Sequence, residues 1–108
     1  MWETENCPTD SDEIKRIVAG GNYSWSTVRG IANNPDFRDP IAVFFSLPCS
    51  PCTIAPTGII AIPEDSTRYP VAYRNNLLFV DFNSGKIRRI VLSGAALTQL
   101  GTSSISYN

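Results

Sequence analysis

The sequence predicts an α+β domain, with one N-terminal amphipathic helix packed on an antiparallel β-sheet meander. Three observations carry this. Ile14, Ile17 and Val18 recur at i, i+3 and i+4 before Gly20-Gly21, the spacing of a single apolar helix stripe and its stop. Two apolar runs, Leu77–Phe82 and Ile87–Leu92, flank the polar Asn83-Ser84-Gly85, as in a β-hairpin whose glycine takes a positive φ. Prolines at 48, 51, 56, 63 and 70 nearly exclude helix between the two, since proline lacks the N–H that a helix interior needs.

In chain order, Asp10 or Ser11 caps the predicted helix and Glu13 sits three residues after Asp10, the spacing of a capping box. Residues 22–34 read as a second helix capped by Ser24, against which Gly30 and the β-branched Thr27, Val28 and Ile31 argue. A loop closed by Pro35 and Pro40 follows, and Ile41–Leu47, almost uninterruptedly apolar, reads as a buried strand. Gly58–Ile62 is a short extended piece, and Val71–Tyr73 leads into the hairpin. The closing stretch TSSISYN adds a short edge strand or frays. Layered together, the helix stripe covers one face of the meander.

With 108 residues, 43% of them hydrophobic, the chain is expected to form one domain over 1–108. Nine basic and ten acidic side chains give a formal net charge of -1, which provides no global field for nucleic acid or an anionic membrane. No apolar run is long enough to span a membrane, and the N-terminus lacks the basic and then apolar opening of a signal peptide. The absence of histidine removes the usual base near neutral pH and the usual nucleophile pairs.

Three constellations are candidates for chemistry. Cys49 and Cys52 form a CxxC after a strand, and Cys7 is the third thiol. All three are disulfide candidates, and the odd count leaves one thiol over or paired between chains. Without histidine they do not complete a zinc site, so no metal is expected. Arg68, Tyr73, Arg74, Lys86, Arg88 and Arg89 form a basic cluster interleaved with Tyr69, Phe79 and Phe82. Such a cluster suits single-stranded nucleic acid, while solvated strand positions and core aromatics explain the same residues and are favoured by the acidic overall balance. Glu64 and Asp65, beside Arg68, have the residue types of an acid-base pair and also those of an ordinary turn. Asn22-Tyr23-Ser24 is a glycosylation sequon, meaningful only in a secreted chain.

Strand followed by Cys-x-Pro-Cys, with Tyr69-Pro70 and the glycine hairpin beyond, weakly resembles the thioredoxins. That resemblance implies a thiol-disulfide redox protein using Cys49 and Cys52. Trp2 shortly before Cys7, one amphipathic helix, Tyr69-Pro70-Val71 and the hairpin at 77–92 together resemble the small fungal guanyl-specific ribonucleases. More closely they resemble the catalytically silent, RNase-like effectors associated with haustoria that powdery-mildew fungi secrete. In active ribonucleases the strand after the turn delivers a histidine, and Ile90-Val91-Leu92-Ser93-Gly94 has none. The resemblance implies an RNase-like fold and a non-enzymatic, monomeric effector with no cofactor and no catalytic residue. It further implies secretion and action in the host cell, on host protein or RNA, with a plant immune receptor as recogniser. It would pair Cys7 with Cys49 or Cys52. A small inhibitor or immunity protein, plugging an enzyme with the 48–57 loop, is the third expectation.

Overall fold

The computed structural model describes residues 1–7, 11–44, 54–93 and 99–104. Among these there is no α-helix. The strands are β1 (Trp2–Glu5), β2 (Asp12–Arg16), β3 (Ala42–Phe44), β4 (Pro56–Ile62), β5 (Asn76–Asp81), β6 (Lys86–Ser93) and β7 (Gln99–Ser104). They form two antiparallel meanders, one ordered β1-β2-β3 and the other β4-β5-β6-β7. The protein is therefore all-β, and the α+β expectation is corrected.

The predicted N-terminal helix is strand β2, paired on both sides, with Thr4 opposite Ile14 and Ile14 opposite Ala42. Ile14, Ile17 and Val18 fit a strand as well as a helix because β-branched residues pack well on a pleat. Alternation decides between the two: Asp12, Ile14 and Arg16 face one side of the sheet, Glu13 and Lys15 the other. A second helix over 22–34 is absent as well. Ser24 (φ 64°), Gly30 (φ 74°) and Asn33 (φ 52°) are left-handed, a conformation that no helix accommodates. Turns fill the segment instead. Val71–Tyr73 is a single 3-10 turn rather than a leading strand, and Tyr69 is exposed ahead of it.

The hairpin stands where the alternation and Gly85 place it. Asp81 pairs with Lys86 and Asn76 with Val91, Gly85 has φ 68°, and its N–H donates to the Asp81 carbonyl at 2.9 Å. Gly58–Ile62 belongs to β4 and Ala42–Phe44 to the predicted strand at 41–47. Residues 102–104 of the closing stretch lie in β7, the edge of the second sheet.

The sheets meet over a core of Ile14, Ala42, Ile54, Leu77, Phe79, Ile90 and Leu92, joined by Trp2, Ile41, Phe44 and Ile59. Phe44 and Phe79 close it, with ring centroids 5.5 Å apart, within the range of favourable aromatic pairs.

Candidate functional site

Both sheets bring loops to one end of the molecule, and a buried carboxylate ties them together. Asp12, fully buried at the start of β2, accepts the Cys7 N–H at 2.9 Å through Oδ1 and the Ala55 N–H at 3.0 Å through Oδ2. The Ala55 carbonyl in turn accepts the Phe82 N–H at 3.1 Å. One carboxylate thus joins the 5–12 connection of the first sheet to the start of β4, and through it to the β5–β6 turn. With both oxygens engaged by backbone amides, Asp12 positions loops; it is not placed to move protons.

The turn has its own anchor. Asp81, buried, accepts Arg88 Nε at 2.8 Å and Nη2 at 2.6 Å, the Ser84 hydroxyl at 2.6 Å and the Ser84 N–H at 3.0 Å. Burial pushes the Asp81 carboxyl up. The Ser84 and Arg88 hydrogen bonds and the Arg88 charge outweigh it and hold the pKa below the ordinary 3.8. A depressed carboxylate stabilises the fold above its unfolded pKa, and that contribution is lost as pH falls through the folded value. Stability should therefore decline below about pH 3.8. Ser84→Ala removes one charge-assisted bond and should lose about 1.5 kcal/mol at neutral pH in urea unfolding. Because less holds Asp81 ionised, its folded pKa moves up towards the unfolded value, so the acid-dependent loss should be smaller and should be complete at a higher pH than in the wild type. The turn anchored in this way presents Phe82, 74% exposed, and the exposed Asn83 and Ser84 to solvent.

Behind β2, on the opposite face from Asp12, lies a second charged group. Lys15 Nζ reaches Glu13 Oε2 at 3.0 Å and also pairs with Glu5, and its side chain is almost fully buried. Burial alone would lower the Lys15 pKa. Hydrogen bonds to Glu5 and Glu13, followed by their charges, raise it above 10.5. Glu13 further accepts the Gly30 N–H, which fastens the 18–41 segment over the outer face of the first sheet. Tyr23 adds a staple, its hydroxyl accepting the Val18 N–H and donating to the Arg16 carbonyl, each at 2.7 Å.

The six residues of the sequence-predicted basic cluster do not form one surface. Arg88 is inside, on Asp81. Tyr73 and Arg89 stack at 5.3 Å at the far end of the second sheet, with Arg74 beside Tyr73 in the chain. Arg68 is exposed on the 63–75 loop, as are Glu64 and Asp65, and Lys86 is half-buried at the start of β6. Cys7 is half-buried; Cys49 and Cys52 lie outside the described residues, as do the disulfide expectations that rest on them and most of the 48–57 loop. Among the described residues no cluster of three metal-ligating side chains occurs, and no helix is long and apolar enough to cross a membrane. Asp12, Glu13 and Lys15 were missed because the segment reads as a helix, with Glu13 in its capping box. No local signal in DEIKR marks them, since Ile14 is its one apolar residue.

The family model of the glucose/sorbosone dehydrogenases matches residues 1–104. The chain belongs to that family. An oxidoreductase from Thermus thermophilus, described as a glucose dehydrogenase, superposes with a TM-score of 0.72 at 24% identity, over 99% of this chain and 28% of its own. Two further structures described as glucose dehydrogenases align with TM-scores of 0.68 and 0.70 at 20% and 21% identity, over 96% of this chain. The chain spans less than a third of the length of these structures. No curated protein matches significantly.

These findings overturn the RNase-like effector reading. An all-β chain of a dehydrogenase family lacks the helix on which that resemblance rested, and Trp2 and Tyr69-Pro70 are too generic to carry it alone. The thioredoxin-like and inhibitor readings find no support either: the strand–helix–strand setting that a redox CxxC needs is absent among the described residues. The family is described as one of dehydrogenases, which runs against the expectation of a non-enzyme.

Proposed function

We propose that the chain forms part of a sugar-oxidising dehydrogenase and that the loop end held by Asp12 and Asp81 is its sugar-facing surface. The family match over residues 1–104 supports the reaction class. The observation that carries the placement is the exposed Phe82 on a turn fixed from both sides, at Asp81 and at Ala55. Loops held by a rigid sheet scaffold are where binding groups concentrate. An exposed aromatic ring offers a platform for the C–H face of a pyranose, while the Ser84 hydroxyl, donating to Asp81, keeps lone pairs for a sugar O–H. Oxidation of a sugar hydroxyl to a carbonyl removes two electrons and two protons. In this reading the turn binds and orients the sugar, and a two-electron acceptor takes the electrons.

Titration of D-glucose into the 15N-labelled chain tests this reading. The Ala55, Phe82, Ser84 and Gly85 amides should shift together, and Phe82→Ala should weaken binding about tenfold, the equivalent of about 1.4 kcal/mol. Shifts confined to other residues, or none up to about 100 mM sugar, at which even a weak site of Kd near 10 mM would fill, would remove the turn from the site.

A further inference from the structure

At the end of β2 away from Asp12, the 18–41 segment turns back on the first sheet and leaves a cleft of about 510 Å³, within the range of small-molecule sites. Its floor is apolar, made by the half-buried Val18, Phe37 and Ile41, and its rim carries Arg16 and the exposed Arg38 and Asp39. The cleft is preformed. Ile41 donates its N–H to the Ile14 carbonyl at 2.9 Å, and the Tyr23 hydroxyl bridges Arg16 and Val18. Arg38 donates its backbone N–H to the Asn22 carbonyl at 2.7 Å. Its side chain passes so close to Gly21 that a Cβ there would lie 3.0 Å from Arg38 Cδ. The stem of Arg38 is held in this way, and among the described residues no carboxylate pairs with its guanidinium. Asp39 gives Oδ1 to the Ala32 N–H at 2.7 Å, which leaves Oδ2 for a further donor.

We infer that this cleft is a further saccharide subsite, taking one neutral sugar ring. The charges select a neutral ligand. Arg38 and Asp39 stand side by side on the rim, so a carboxylate attracted by one is repelled by the other, and an ammonium likewise. Arg16 faces the Trp2 ring at 6.0 Å and is left out of this balance. A sugar ring offers what both rim groups need: its oxygens accept from the planar guanidinium fork, and one hydroxyl donates to Asp39 Oδ2. Its C–H face lies on the Phe37 ring, over the apolar floor. The choice of a sugar among neutral polar ligands rests on the family reading, whereas the place rests on the cleft itself. Asp12, whose Oδ2 ties Ala55 and with it the Phe82 turn, is at the other end of β2 from Arg16, so the two sugar surfaces report on different residues.

Titration of the 15N-labelled chain with methyl α-D-glucopyranoside, which has no free anomeric hydroxyl to oxidise, tests this. The Val18, Phe37, Arg38, Asp39 and Ile41 amides should shift together, with one Kd on the order of 10 mM. D-glucuronate and D-glucosamine, which carry one charge on the same ring, should bind about fivefold more weakly or worse. Arg38→Gln, at an exposed position, should weaken the glucoside about tenfold with unchanged circular dichroism. Asp39→Asn keeps an oxygen for the Ala32 N–H and should bring D-glucuronate up to the affinity of the glucoside. Absence of shifts in this set up to about 100 mM, well above that Kd, overturns the inference. So does a charged sugar that the wild type binds more tightly than the glucoside, or an Arg38→Gln variant that binds as the wild type does. Shifts at Ala55 and Phe82 alone keep the turn as a sugar surface and overturn the cleft, and shifts in the cleft alone do the reverse.

Discussion

Lys15→Met should destabilise the fold by about 3–5 kcal/mol, the range for removing one partner of a buried ion pair. Lys15 is the cation between Glu5 and Glu13, and Glu13 is almost fully buried. Replacing the ammonium with a thioether leaves two carboxylates facing each other across paired strands, since Glu5 and Glu13 are register partners. Like charges directly opposite in a sheet are destabilising in themselves. The measurement is urea unfolding at neutral pH, with the loss expected in the midpoint and not in the slope. The pH dependence gives an internal check. The folded Lys15 pKa is raised above 10.5, so the network stabilises fully below that value and is lost as pH rises through the higher folded one. Wild-type stability should fall above about pH 10.5, and Lys15→Met should lose that alkaline limb. Glu5→Gln/Glu13→Gln in the Lys15→Met background should recover part of the stability, which simple loss of side-chain packing would not allow.

The second large effect is expected at Asp12. Asp12→Ala withdraws the side-chain oxygens that accept from two backbone amides, Cys7 and Ala55. Bonds to charged groups contribute about 1.5–3 kcal/mol each, so the loss should be about 3 kcal/mol or more. Unlike Lys15→Met it should also loosen the loop end specifically. Ala55 lies 43 residues from Asp12 in sequence, and its carbonyl holds Phe82. Sugar-dependent shifts at Phe82 should weaken in Asp12→Ala even where the remaining protein is folded.

These two residues also mark what the sequence could and could not disclose. The β5–β6 hairpin was legible because every determinant is local: two apolar runs, a polar turn, and Gly85 in the left-handed region. Strand β2 was not, because its pairing partners lie at 2–5 and 42–44 and nothing local distinguishes a strand with buried, partnered charges from an amphipathic helix with a solvated face. Asp12, Glu13 and Lys15 are polar in composition and buried in fact, which only long-range contacts determine. The basic trio at 86–89 reads as one local cluster, yet its charges go different ways, Arg88 to Asp81 and Arg89 to Tyr73. Phe82 was visible as an aromatic that could stack, but its role at the loop end rests on the Ala55 contact, which no spacing records.

A buried strand at 12–16 clamps the loop end through Asp12, and amide hydrogen exchange at Ala55 reads that clamp without an intermediary. The Ala55 N–H should be strongly protected in the wild type and lose that protection in Asp12→Ala, with cross-strand contacts between Thr4 and Ile14. Exchange of Ala55 at the rate of an unstructured amide, together with helical contacts through 10–18, would contradict it.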